Sequence, residues 1–474
     1  MTGERGRGKL RLPFSGPTER PFTPPRKALI VQPCCLGRVM LTTPLLAALA
    51  NAFPEARFDW AVSDWARQAV SSNPRVTRLI HTGPGDMTGE RDELNALLEA
   101  VRVEQYDTCI VPATHSIAGE ALVKRADIPQ RLALGAGGWR DRGVAPPRGE
   151  RHLARIYLAL AAAAGVSPAI IAAAQMEFHP PDRDRTAATR WLVEEFDWLG
   201  DAPLAILHPG GGANPSQTNF DKRWPAERFA RLGNHLVRTH GARVVLVGLE
   251  DERPLAAQVA GMMSRSAAGH VANRAGQIGL GELGALCELA SLYAGNDVGS
   301  TYIAAATGCP TLAIYGPTDP AVSAPYMVNG RVQALWQPYE GAFAWSNGVT
   351  VEVAAAAADE LLAVVIDNTL AANGQIEDIA FHAQRAVDKE IQVSLRLNRR
   401  QAGNQMSVNR VARQQRIVLR FGHTRGSPRR YQWHQLSIFI ILSLSALSRL
   451  RRRWEFGEKP AQQAKKAPAA CIPP

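Results

Sequence analysis

Three short stretches of this chain hold residue types suited to a bound anion and a sugar. Lys222 and Arg223 lie in Asn219-Phe220-Asp221-Lys222-Arg223-Trp224-Pro225, directly before a helix-periodic run that opens at Ala226. Two long cationic side chains beside a helix N-terminus suit a diphosphate. A solvated turn, with Trp224 and Pro225 stapling the helix, accounts for the same residues without a ligand. Gly295-Asn296-Asp297-Val298-Gly299 follows a short apolar run and opens a helix expected over 300–307. Its glycines permit close backbone approach and its amides favour an anion. Asp297 beside a phosphate would need a counter-charge, so it reads as a helix cap or as the holder of a sugar or ribose hydroxyl. His208-Pro209-Gly210-Gly211-Gly212 again follows a strand-like run and reads either as a backbone cradle or as a flexible connection.

Other chemistries lack their signatures. No Gly-x-Gly-x-x-Gly follows the first strand, no GxxxxGK[ST] occurs, and no Gly-x-Ser-x-Gly elbow is present. The six cysteines (34, 35, 109, 287, 309 and 471) form no CxxC pair and no Cys/His cluster at zinc spacing. A disulfide scaffold is therefore not expected, nor is a metal or a cofactor, and the usage fits a reducing compartment. Cys34 and Cys35 read as packing or loop residues, with no base beside them in sequence to activate a thiol.

The elements that must position these loops alternate along the chain. Lys27–Gln32 reads as a buried strand, Val39–Ala52 as a helix, Arg57–Val62 as a strand, and Trp65–Ser71 as a helix. Strands at Arg78–His81, Asp107–Val111 and Arg131–Leu134 and helices at Arg91–Val103 and His152–Ala164 continue the pattern. A second cycle opens near Leu204, with helices at Ala226–Arg238, Glu252–Met262 and Gly281–Leu289 and strands at Arg243–Val247, Leu292–Ala294 and Thr311–Tyr315. Strands alternating with helices imply right-handed βαβ units and parallel sheets. The expected organisation is a disordered leader over 1–25, Rossmann-like domains over 26–190 and 200–350, a closing helix over 351–373 and a basic, disordered tail over 374–474.

With 474 residues, 46% of them hydrophobic, the chain can bury more than one core. The net charge of +11 invites a nucleic-acid reading, but Phe381–Pro474 holds 19 Lys+Arg against 4 Asp+Glu. The first 380 residues carry 35 basic and 39 acidic side chains, so the folded body is slightly acidic and a nucleic-acid partner is not expected. The leader lacks the apolar stretch of a secretory signal, which points to the cytoplasm. In the tail, the apolar run Leu436–Leu447 is too short to span a bilayer. Followed by Arg449–Arg453, it leaves peripheral contact with the inner face of the cell membrane open.

The order of the loops carries a more specific likeness. The segments LIVQPCCLGRVMLTTPLLAALANAFPEARFDWAV, ILHPGG, FDKRWPAERFARL, VVLVG followed by EDER, and LGELGALCELASLYAGNDVGSTYIAAATGCPTLAIYGPTDP resemble glycosyltransferase family 9, the ADP-heptose:lipopolysaccharide heptosyltransferase family. The likeness covers about residues 27–370. It implies a GT-B fold, two Rossmann-like doubly wound domains facing each other across a cleft. It further implies inverting, metal-independent transfer of a heptose or similar sugar from an ADP-heptose-like donor to a lipid-linked acceptor. By this resemblance Lys222 neutralises the donor diphosphate, and Asp297, Val298, Gly299 and Tyr302 lie at the donor's phosphates and sugar. Glu252 and Ile278 fall where the family contacts the nucleoside, and Gly37 lies in the loop on the acceptor side.

The departures from the family pattern are specific. The first loop commonly reads LGDV, with its Asp the proposed general base, whereas this chain has Leu36-Gly37-Arg38-Val39. Arginine is permanently cationic and cannot take a proton there. General-base catalysis is typically worth about 10²–10⁴-fold, so another carboxylate must substitute, and Asp64 and Asp221 are candidates by loop position. The family's GND[ST]GPMH becomes GNDVGSTY, with Val298 lacking a hydroxyl and Tyr302 in place of His. These changes leave an alternative in play, a sugar-nucleotide or glycan-binding protein of the same fold without turnover.

Overall fold

The structure, a computed structural model, describes residues 22–363 apart from 86–90, 113–121, 123, 136–141, 215–216 and 219. Leader residues 1–21, the last part of the closing helix and the basic tail lie outside the described residues.

The first cycle forms one six-stranded sheet. Its strands are β1 (Lys27–Val31), β2 (Arg57–Val62), β3 (Val76–His81), β4 (Thr108–Val111), β5 (Gln130–Leu134) and β6 (Arg142–Val144). They run in the order β3-β2-β1-β4-β5-β6, and every pairing is parallel. The second cycle repeats that order with β7 (Leu204–His208), β10 (Arg243–Leu246), β11 (Val271–Asn273), β12 (Leu292–Asn296), β13 (Thr311–Ile314) and β14 (Val332–Leu335), arranged β11-β10-β7-β12-β13-β14. Two-residue strands β8 (Ala213–Asn214) and β9 (Gln217–Thr218) pair antiparallel outside it. Each sheet reverses direction of growth beside its first strand, the topological switch where open α/β sheets bind ligands.

The helices are α1 (Leu36–Ala52), α2 (Arg91–Val103), α3 (Leu153–Ala163), α4 (Pro168–Ala173) and α5 (Asp182–Glu194) in the first part of the chain. Then come α6 (Ala226–His240), α7 (Arg253–Met262), α8 (Leu280–Leu289), α9 (Gly299–Ala306) and α10 (Pro320–Ser323), with residues 351–363 also helical. Strand alternation sends neighbouring side chains to opposite cores. Ala28 and Ile30 join α1 and α3 on one face, while Leu29 and Val31 join α2 on the other. In the second sheet Ala205 and Leu207 pack with α6, α7 and 351–363, and Leu204 and Ile206 with α5 and α8. Burial on both faces is why these strands are continuous apolar runs.

Two expectations need correction. Trp65–Ser71 holds only a 3-10 turn at Arg67–Ala69, because the chain must return to β3 within a few residues. Cys34 and Cys35 are joined to each other by a disulfide rather than standing as free thiols. The halves meet where α1 begins: a Cβ on Gly299 would overlap Leu36, and one on Gly37 would lie 3.2 Å from the Tyr302 ring.

Candidate active site

The three loops singled out by residue type converge at the carboxyl ends of β7 and β12, and Asn296 ties them together. Its Nδ2 donates to the carbonyls of Pro209 (3.1 Å) and Gly210 (2.8 Å). Its Oδ1 accepts from the Trp224 amide at 3.0 Å. Asn296 is fully buried, so each of these bonds forms away from competing water. Trp224 is anchored in turn by Nε1 donating to the Val349 carbonyl at 2.8 Å and by an edge-on contact with Phe229. Lys222 and the first turn of α6 are thereby fixed relative to β12.

Asp297 gathers the polar groups at the mouth of α9. Lys222 Nζ lies 2.8 Å from its Oδ2, Thr318 Oγ1 donates to the same oxygen at 2.8 Å, and Tyr302 OH lies 2.9 Å from Oδ1. The Tyr302 hydroxyl is also 2.6 Å from the Ser323 carbonyl, so one proton serves two acceptors. Burial first, then the Asp297 charge, push the Tyr302 pKa well up, which keeps it a neutral donor. Asp297 therefore carries three donors at 6% exposure, with Lys222 supplying the counter-charge the sequence reading required. Val298 is buried and Gly299 half-buried at the first turn of α9.

Glu252 faces inward. It is 1% exposed, and its carboxylate accepts from the Gly212 amide (2.9 Å), the Leu249 amide (2.9 Å) and His208 Nε2 (2.9 Å). His208 continues through Nδ1 to Ser300 Oγ, which lies 2.8 Å from the Tyr293 hydroxyl. This buried line of groups fixes the glycine loop: a Cβ on Gly210 would overlap the Glu252 carboxylate, so only glycine fits there. Burial alone would raise the Glu252 pKa, but the bond and charge of His208 and the two amides outweigh it and bring it down to about 2. Ile278 is half-buried against the β7–α8 side of the core.

On the other half, Gly37 and Arg38 form the first turn of α1. Arg38 is exposed, forms no ion pair among the described residues, and sits near enough to Tyr157 for its charge to act on that phenol. Of the candidate replacement carboxylates, Asp64 follows β2 and lies 3.0 Å from His81 Nε2, both about half exposed. Asp221 is exposed within the 3-10 turn Phe220–Lys222. Sequence reasoning did not single out Asn296, His208, Ser300 or Thr318 as site residues. All four lie within the quoted segments, but nothing in their types announces the bonds they make.

Residues 95–342 match the profile of glycosyltransferase family 9 (heptosyltransferase). The chain belongs to glycosyltransferase family 9. Lipopolysaccharide heptosyltransferase 2 of Salmonella typhimurium is 26% identical over 327 residues, spanning 66% of this chain and 89% of that protein. The Escherichia coli protein of the same name is 25% identical over 322 residues, with the same coverage. Among solved structures, a glycosyl transferase family 9 protein from Veillonella parvula aligns with TM-score 0.60 at 22% identity, over 71% of this chain and 97% of that one. E. coli ADP-heptose lps heptosyltransferase II aligns at 0.57 and 21% identity, over 71% and 98%. The family 9 chain is thus a glycosyltransferase of GT-B fold, as its loops implied, and the binding-only alternative finds no support in these matches. Among the described residues no helix is long and apolar enough to cross a membrane.

Proposed function

We propose that this family 9 glycosyltransferase moves a heptose from an ADP-heptose-type donor onto a lipid-linked core precursor of lipopolysaccharide, with inversion. The observation that carries this reading is the convergence of Lys222, Asp297 and the first turn of α9 at the β7/β12 switch, stitched by Asn296. A nucleoside diphosphate laid across that turn meets the Lys222 ammonium and the amides at the start of α9; as Lys222 turns to the phosphates, Asp297, still held by Thr318 and Tyr302, can accept from a sugar hydroxyl in its place. In the transfer, the bond from the anomeric carbon to the diphosphate oxygen breaks as the acceptor oxygen bonds to that carbon. Negative charge grows on the departing diphosphate, which Lys222 and the amides stabilise. Acceptor-dependent release of ADP from ADP-heptose by the full chain tests the proposal. Absence of both ADP release and ADP binding would overturn it.

The acceptor proton needs a destination other than Arg38, and we assign it to the Asp64–His81 pair at the carboxyl ends of β2 and β3. Support comes from their 3.0 Å separation and half exposure. Asp64→Asn is expected to lower kcat about 10²-fold while leaving the donor KM near its original value. An unchanged kcat would remove the pair from the mechanism.

Arg38, exposed in the first turn of α1 and without an ion pair among the described residues, suits an anionic group of the acceptor, since the helix amides add to its charge. Arg38→Ala is expected to raise the acceptor KM about tenfold at low salt and leave kcat near its original value, with the difference shrinking as salt screens the contact. A fall in kcat with no change in KM would refute this role.

A further inference from the structure

In the C-terminal half of α6, away from the end that Lys222 precedes, two histidines meet a carboxylate more than a hundred residues further along the chain. His235 Nε2 is 2.8 Å from Asp359 Oδ1, and His240 Nε2 is 2.6 Å from the same oxygen. The histidines sit five residues apart on α6, a spacing that places their Cβ atoms roughly 140° apart around the axis. They converge only because Asp359, on the helical stretch 351–363, lies between them, with the rings 6.0 Å apart at 75°. All three ligand atoms fall within 4.8 Å of one another.

From this juxtaposition we propose that His235, His240 and Asp359 form a binding site for a zinc-class divalent cation that clamps residues 351–363 to α6. The ligand set is two imidazoles and a carboxylate, borderline donors that suit zinc, cobalt or nickel rather than calcium or magnesium. A cation about 2.0–2.1 Å from each atom requires the ligands to part by roughly 0.5 Å from their hydrogen-bonded positions, well within side-chain motion. A solvent molecule completes the coordination on the exposed side. For ligation each neutral imidazole must carry its proton on Nδ1, and Thr239 Oγ1 stands 3.4 Å from His235 Nδ1 to receive it. The site stands at the C-terminal end of α6, whereas Lys222 precedes its N-terminal end. His235 and His240 lie nine and fourteen residues beyond Ala226, roughly 14 and 21 Å along the axis from the end that Lys222 precedes. Binding is therefore structural and independent of donor chemistry.

The full chain, stripped with chelator, is titrated with Co2+ alone and then with Zn2+. The expected result is one equivalent of Co2+ bound with a visible ligand-field band, bleached by Zn2+, and a melting temperature raised by about 3–6 °C in excess Zn2+. In His235→Asn/His240→Gln the affinity falls by about 100-fold or more, and the metal-induced rise in melting temperature disappears. His240→Gln alone, which keeps a polar side chain at that position, loses at least tenfold, so misfolding of the double variant cannot mimic the result. Transfer activity of the metal-free variants matches that of the metal-free parent. Absence of stoichiometric binding by the parent overturns the proposal, as does equal binding by the variants, which would move the cation to other ligands such as the thiols.

Discussion

Replacing Lys222 by methionine is expected to lower kcat/KM for the nucleotide-sugar by about 10³-fold, mostly through kcat, while the chain stays folded. Lys222 is one-fifth exposed and paired with Asp297, so the ammonium can pass from that carboxylate to a bound diphosphate without being stripped of partners. Asp297 keeps its bonds from Thr318 and Tyr302 when Lys222 moves, which limits the cost of separating the pair. A charge on the leaving group that is larger in the transition state than in the bound donor is stabilised more than the donor itself, and kcat records that difference. Methionine preserves the aliphatic stem against the loop and removes the ammonium with its bond to Asp297, which keeps Thr318 and Tyr302 as donors. Steady-state kinetics, together with ADP affinity by calorimetry, checks the claim. A variant with unchanged kcat and only a raised KM would make Lys222 a ground-state holder of the donor rather than a stabiliser of its departure.

The convergence on which that expectation rests was legible in part. Chain alternation gave the parallel architecture because strands buried on both faces must be apolar throughout, as Leu29–Val31 and Leu204–Leu207 are. Lys222, Asp297 and the glycine runs stood out by type and by position after strands, yet each also read as a turn, a cap or a flexible connection until their order matched the family. The edge strands β11 and β14 were not legible. Their side chains are only half-buried, and pairing with β10 and β13 rather than any local pattern makes them strands. Nor could the sequence show that Asn296 holds all three loops, since an Asn inside a Gly-Asn-Asp turn reads equally well as a cap. The meeting of His235 and His240 with Asp359 depends on how the closing helix docks, across 119 residues of chain from His240. Arg38 was legible as a departure from the family, but its exposure at the start of α1 fits a surface charge as well as an acceptor contact, and the sequence could not choose between them.

Glu252 shows most clearly how a residue read as a ligand contact can act through the scaffold instead. Replacing it by alanine is expected to destabilise the folded chain by about 3–5 kcal/mol, because it leaves His208 and the Gly212 and Leu249 amides without their acceptor in a nearly dry site. Glu252→Gln retains the volume and one acceptor oxygen, so it is expected to cost less. The carboxyl has an ordinary value of 4.5 and about 2 in the folded chain. A group whose pKa is depressed by folding adds stability above its unfolded value, and loses that contribution as pH falls from about 4.5 towards 2. The shift corresponds to about 3 kcal/mol in full, so the parent must lose stability steeply over that window while Glu252→Gln follows a flatter course. Denaturant unfolding between pH 7 and pH 3, read by tryptophan fluorescence, compares the two curves. Parallel curves would mean that the His208–Glu252 pair carries no acid-sensitive stability. Because Gly212 also faces Val298 at the mouth of α9, loosening this pair is expected to raise the donor KM as well. The same buried carboxylate would then hold both the fold of the second domain and the shape of its donor loop.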